Sequence, residues 1–244
     1  MRFTKMHGCG NDFILIDGPV AIAAPRVRAL CDRRTGIGAD GILVIGVPAG
    51  RRWPLVIHNA DGSRADACGN GSRCVARYLL DRHGGDELEL ETASGSVRAW
   101  RDPEGIAIDL AAPVLGDELR VDGRLARSAR VGNPNVVVFV LDPATEDLGA
   151  LAAASATLAG PANVGAVAAR GPAALVLRVH ERGVGETQAC GTGACAAVAA
   201  AIAHGDVTSD TVRVTLPGGT LVVRPRGARY ELAGPAEYVF QGEL

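Results

Sequence analysis

Residues 66–84, DACGNGSRCVARYLLDRHG, and residues 188–205, QACGTGACAAVAAAIAHG, are two versions of one phrase. In each, Ala-Cys-Gly-Xaa-Gly leads into a helix-forming run that stops at glycine. Cys68 and Cys190 lie 122 residues apart, half of the 244-residue chain. A hairpin-like alternating segment follows each phrase, ELELETASGSVRAW after the first and TVRVTLPGGTLVVR after the second. A repeat of that period, with matching downstream pattern, confines the chain to two related halves. The expected halves are 1–113, carrying Cys68, and 114–234, carrying Cys190, with about 235–244 packing back on the first half. Facing halves of this kind would bring two helix N-termini, each with a thiol, to one cleft.

The local patterns fill in that frame. FTKMHGCGNDFILIDG reads as strand, glycine-rich turn, strand, and residues 25–34 as a helix stopped by Gly36. GILVIG (41–46) and PLVIHNA (54–60) are short strands, and 72–83 is a helix ending at Gly84-Gly85. GIAIDLA continues the hairpin series. Beyond Pro113, RVDGRLARSARVGNPNVVVFVLD gives strands around a turn, 146–158 a helix, 174–183 a strand and 193–204 the alanine helix, before a closing series of strands. Hairpins mixed with helices indicate an α+β fold rather than a regular βαβ series.

A helix N-terminus presents unpaired N–H groups and the positive end of the helix dipole. It binds a carboxylate well, and it favours a thiolate, so a cysteine there can serve as a base near neutral pH. Two such sites suit inversion at the α-carbon of an amino acid. One thiol removes a proton, the other delivers one to the opposite face, and the helix ends hold the charge that moves onto the carboxylate. Other chemistries fit less well. The six cysteines (9, 31, 68, 74, 190, 195) contain no CxxC, which argues against zinc and a thioredoxin-like redox site. Cys9, Cys31, Cys74 and Cys195 read as structural. GIGADG does not match a dinucleotide fingerprint. Lys5 is the only lysine among 25 basic residues, leaving one candidate for a pyridoxal phosphate Schiff base, in a segment without a phosphate cradle. No cofactor and no metal are expected.

Taken together, MHGCGNDF, HNADGS, ACGNGSRC, GNPN, ANVG, ERGVGETQACGTGAC and LPGG resemble the diaminopimelate epimerase family, in order and over almost the whole chain. The resemblance implies two pseudo-symmetric halves, each a curved, barrel-like, mostly antiparallel sheet around a central helix, with the site between them. It implies cofactor-independent conversion of LL-2,6-diaminopimelate to the meso form, for lysine and peptidoglycan synthesis. Carried over residue by residue, it makes Cys190 the proton acceptor and Cys68 the proton donor. Gly69 and Asn70, with Gly191 and Thr192, match the donors to the reacting carboxylate. Asn11 and Glu181 match contacts near the reacting centre. Asn59, Asn133, Asn163 and Arg182 match the group that holds the distal amino-acid end, a task suited to a bidentate guanidinium and uncharged amides.

Three positions depart from the family pattern. Asn135 stands where the family commonly has histidine, the segment before Asn163 is trimmed to ATLAGPANVGAV, and Gly41 replaces a glutamine found in some relatives. Asn135 keeps alternatives open: a related two-cysteine racemase acting on another amino acid such as histidine or lysine, or an impaired ligand-binding relative. A thiol redox switch is a third. The net charge of −2 gives no bulk attraction for nucleic acid or an anionic membrane. An amino-acid substrate is the expected partner, with a homodimer implied by the resemblance. The first residues lack an apolar signal core, so a cytoplasmic location is expected.

Overall fold

In the computed structural model, which describes residues 1–244, turn chemistry sets the first elements. β1 (Arg2–Gly8) and β2 (Asn11–Asp17) are joined by Cys9 and Gly10, both at positive φ (53° and 78°). A two-residue hairpin with that backbone matches the right-handed twist of its strands. α1 (Ala24–Cys31) is shorter than the 25–34 expected from sequence. The Asp32 carboxylate accepts from the Arg34 and Thr35 backbone N–H groups at 2.9 and 2.6 Å, an Asx-type turn that ends the helix. There follow β3 (Gly41–Ile45), β4 (Arg52–Asn59), the short β5 (Arg64–Ala65), α2 (Gly69–His83), β6 (Glu87–Thr92), β7 (Gly95–Asp102) and β8 (Gly105–Ala111).

β9 (Val114–Val121) and β10 (Arg124–Val131) turn on Asp122-Gly123, again both at positive φ (48° and 76°). Next come β11 (Asn133–Phe139), a 3-10 turn (Pro143–Thr145), α3 (Leu148–Ala159) capped by the Asp147 side chain, and β12 (Asn163–Ala169). β13 (Ala174–Glu181), the short β14 (Gly185–Thr187), α4 (Gly191–His204), β15 (Val212–Leu216), β16 (Gly219–Arg226), β17 (Arg229–Gly234) and β18 (Glu237–Glu243) complete the chain.

Met1–Ile108 together with Gly234–Leu244 form one compact unit, and Asp109–Ala233 form another. In the first, neighbours run β18–β1–β2–β3–β4–β6–β7–β8, with β2/β3 and β4/β6 parallel and the other pairs antiparallel. In the second they run β9–β10–β11–β12–β13–β15–β16–β17, with β11/β12 and β13/β15 parallel. The two plans correspond strand for strand. β5 against β4 matches β14 against β13. The strand of the first unit that corresponds to β9 is β18, supplied by the end of the chain.

In each unit a helix lies inside its own sheet. α2 packs against β1, β2, β3, β6 and β7, and α4 against β9, β10, β11, β12, β13 and β16. Strands at or next to both ends of each order touch the helix, so the sheet curves around it. α4 is buried without a break from Gly193 to Ala201. A helix enclosed on every side must be apolar all round, and its alanines let the strands come close. α1 covers the outer face of the first sheet, where Val27 and Leu30 meet Ile14, Ile16, Ile42 and Val44. α3 does the same in the second, with Leu148 and Leu151 on Val136, Val138 and Val164. Each fully buried aliphatic chain of this kind contributes roughly 1.5–3 kcal/mol. No helix is long and apolar enough to cross a membrane.

Candidate active site

Cys68 is the N-cap of α2. Its backbone is extended (φ −150°, ψ 107°) and its Sγ accepts the Gly71 N–H at 3.3 Å. The third residue after the cysteine has to be small. A Cβ at Gly71 would sit 3.1–3.2 Å from the Leu43 methyls and 3.3 Å from the Cys68 sulfur. Cys68 is half-buried, while Asn70 is buried beside it. Asn70 Nδ2 donates to Asn11 Oδ1 at 3.2 Å, and Asn11 Nδ2 donates to Asp40 Oδ2 at 2.7 Å. Asn11, Gly69 and Asn70 therefore gather at the capped turn. Asn59 does not join them by contact. It is exposed, and its Nδ2 donates to Ser63 Oγ at 2.9 Å within its own turn. In register it stands opposite Gly41.

Cys190 repeats the arrangement in the second unit. It is the N-cap of α4 (φ −128°, ψ 111°), and its Sγ accepts the Gly193 N–H at 3.4 Å. A Cβ at Gly193 would again crowd the cap, 3.2 Å from a Val179 methyl and 3.3 Å from the sulfur. Thr192 Oγ1 lies 3.5 Å from Sγ. The Glu181 carboxylate at the end of β13 also faces this thiol, and Thr187 Oγ1 donates to it at 2.7 Å. Asn163 is buried at the start of β12, where its Oδ1 accepts the Arg182 backbone N–H at 2.9 Å. The Arg182 side chain is exposed. Asn133 takes both its carbonyl and Oδ1 toward Asn135 Nδ2, at 3.0 and 3.4 Å. Asn135 stands opposite Asn163 across the parallel β11/β12 pair.

The electrostatics depart from the sequence reading at Cys190. A helix N-terminus alone would lower a thiol pKa. Here burial raises it well above the ordinary thiol value, the Glu181 charge raises it further, and hydrogen bonds from Thr192 and Gly193 only partly offset them. The resting form at neutral pH is the thiol. Asn163 Nδ2 and Asn135 Oδ1 are buried without hydrogen-bond partners. Unsatisfied buried amides cost about 1–3 kcal/mol each. Gly41 has a steric origin, because a Cβ there would fall 2.4 Å from the His58 carbonyl oxygen.

Sequence reasoning missed three contributors. Asp40 receives Asn11, Thr187 orients Glu181, and Arg73 lies fully buried under the α2 cap with Nη2 donating to Asn70 Oδ1 at 2.9 Å. No local sequence pattern announces any of the three. Lys5 is buried too, ion-paired with Asp12 at 2.6 Å and donating to the Gly38 carbonyl. Burial opposes ionisation of Asp12, yet hydrogen bonds from Arg33 and Lys5 hold its pKa at about 2.

Comparison with known proteins places these features in a family. The profile described as diaminopimelate epimerase matches residues 3–114 and 127–239. A diaminopimelate epimerase of Alkalilimnicola ehrlichii is 40% identical over 276 residues, covering 100% of this chain and 98% of the relative. One from Neisseria meningitidis is 38% identical over 277 residues, covering 100% and 98%. Among solved structures, a protein described as a predicted epimerase from Pseudomonas aeruginosa superposes with a TM-score of 0.78 at 17% identity, covering 100% of this chain and 98% of that one. A hydroxyproline epimerase from Agrobacterium vitis, with trans-4-hydroxy-L-proline bound, gives 0.75 at 15% identity, covering 99% and 91%. At those identities the structures share the fold.

Proposed function

The chain belongs to the diaminopimelate epimerase family, and from that premise we propose that it converts LL-2,6-diaminopimelate to meso-diaminopimelate by a two-thiol acid/base mechanism without a cofactor. The observation that carries the reading is the duplicated cap, in which Cys68 and Cys190 each accept a backbone N–H at the mouth of an enclosed helix.

In the LL-to-meso direction Cys190, as thiolate, takes the α-proton, and the electron pair of the C–H bond delocalises onto the substrate carboxylate. The Cys68 thiol then gives its proton to the opposite face. Cys190 ends as thiol and Cys68 as thiolate, and exchange with solvent restores the starting pair. Such a pair titrates as a coupled unit. N–H groups of the α2 and α4 first turns, including Gly69, Asn70, Gly191 and Thr192, supply donors for the charge that develops on the carboxylate. Glu181 faces Cys190 and is placed to receive its resting proton. Asn11 orients Asn70, and Asn59, Asn133, Asn163 and Arg182 hold the distal amino-acid end. The protein acts in the cytoplasm, where thiols stay reduced, on a free amino acid rather than on nucleic acid or a membrane. It works as a homodimer, to be checked by light scattering against the 25.0 kDa chain mass.

Proton NMR in D₂O under reducing conditions tests the reading, with LL-diaminopimelate beside L-histidine, L-lysine and L-proline. Loss of the α-proton signal confined to diaminopimelate, with meso product, is the expected result. Cys68→Ala and Cys190→Ala should each abolish net epimerisation, and near-normal turnover in either would end the two-thiol mechanism. Exchange with another amino acid alone would move the substrate and keep the chemistry.

A further inference from the structure

Arg73 stands in the second turn of α2 and is fully buried, with 0% exposure. The mechanism above gives it no task. Enclosing a guanidinium is costly, and an apolar residue of similar volume would fill the space at less cost. Its side chain runs back toward the helix N-terminus, as long helical side chains do. Nη2 donates to Asn70 Oδ1 at 2.9 Å, and Nη1 reaches the Gly69 carbonyl at 3.5 Å. The positive charge thus lies under the turn that Cys68 caps. The neighbouring backbone leaves room for it, since a Cβ at Gly8 would come within 3.2 Å of Nη2.

Asn70 is the first link of a longer chain. It donates to Asn11, Asn11 donates to Asp40, and Arg33 binds Asp40 at 2.8 Å while its other contacts hold Asp12 at 2.6 and 3.0 Å. Asp12 in turn pairs with Lys5 at 2.6 Å. Arg73 anchors the end of this chain nearest the thiol. Resting on the epimerase reading of Cys68, we propose that Arg73 is a positioning residue for the half-reaction at Cys68. It fixes the Asn70 side chain and adds positive charge beneath the α2 N-terminus, where the Cys68 thiolate and the substrate carboxylate place negative charge.

Other ionisable groups bound this effect. Cys9, at the β1–β2 turn, lies against the guanidinium, which opposes the upward push of burial on its thiol. Cys74 follows Arg73 in α2; burial pushes its thiol up to about 12 and Arg73 again opposes. Glu237 of β18 raises Cys9 but is paired with His7 of β1 at 3.4 Å. Asp12, Asp40, Lys5 and Arg33, from β1, β2 and the loop before β3, are tied to one another. β6 and β7 contribute Glu87 and Arg98, which pair across those strands.

The test is site-resolved alkylation by iodoacetamide from pH 6 to 10, read by mass spectrometry without substrate, with Cys190 in the other unit as internal reference. In Arg73→Gln the Cys68 profile should move about one pH unit upward, slowing neutral-pH alkylation about tenfold, while Cys190 keeps its profile. Arg73→Lys keeps the charge but not the fork, so the Cys68 profile should stay near wild type while turnover falls. A folded Arg73→Gln protein with a wild-type Cys68 profile overturns the proposal. Where Arg73→Gln does not fold, Arg73→Lys decides, and a wild-type turnover in it overturns the positioning role. Absence of diaminopimelate exchange in the wild type would instead remove the epimerase reading and leave the alkylation result standing.

Discussion

At the scale of single residues, burial first and the Glu181 carboxylate second set how Cys190 behaves. Burial and the Glu181 charge both raise the thiol pKa, so Cys190 stays protonated through neutral pH and its thiolate fraction grows as pH rises through the alkaline range. A step that needs this thiolate should therefore accelerate with pH. Glu181→Gln keeps the volume and removes the charge. It is expected to move Cys190 alkylation to lower pH while reducing turnover at least about tenfold, because the partner for the resting proton is gone. Unchanged alkylation in that variant would show that burial alone sets the thiol. The two capping cysteines were legible in the sequence because a repeated Ala-Cys-Gly-Xaa-Gly can place a thiol on a helix cap. The direction of the Cys190 shift was not, because it depends on how deeply α4 is enclosed and on a carboxylate from β13. Arg73 and Lys5 escaped for a related reason: charged side chains are rarely fully buried, and no local pattern announces the exception.

At the scale of elements, the sequence located the two central helices but started them late, at 72 and 193, where the structure has Gly69 and Gly191. Glycine is a poor helix former, so propensity defers the start. The cap overrides it, since Sγ satisfies a first-turn N–H and the glycines leave space for the sulfur. Gly193→Ala separates these effects. Alanine in place of glycine favours the helix by about 1 kcal/mol. The new methyl, 3.2 Å from Val179 and 3.3 Å from Sγ, costs about 1–3 kcal/mol if the surroundings hold. The variant should melt within a few degrees of wild type yet lose most of its turnover, because the sulfur is the atom displaced. Full activity would mean that the cap tolerates movement. β12 went unread for a different reason. NVGAVAA is short, rich in small residues and buried on nearly every position, so it lacks the alternation that marks a half-exposed strand.

At the scale of the whole chain, the repeat foretold two related halves, and the strand orders show how far the relation goes. Each unit runs through the same eight-strand order, but the second opens with β9 and the first with β18. That borrowed strand has consequences for folding. β1 pairs with β18 from Arg2↔Glu243 to His7↔Glu237, and the Phe3 ring meets Phe240 edge-on at 5.9 Å. Unit 1 therefore needs residues separated by nearly the full length of the chain, whereas β9 reaches β10 through a two-residue turn. Contacts that close so long a loop form late and carry a larger entropic cost. Removing residues 236–244 should strip β1 of its partner and expose Phe3. Hydrogen exchange is then expected to speed up in β1 and β2 while β10 and β11 keep their protection. Equal loss in both units would mean that β18 supports more than the sheet it completes. No loss in β1 would mean that the β1–β2 hairpin, with its Cys9-Gly10 turn, is stable without the outer strand β18.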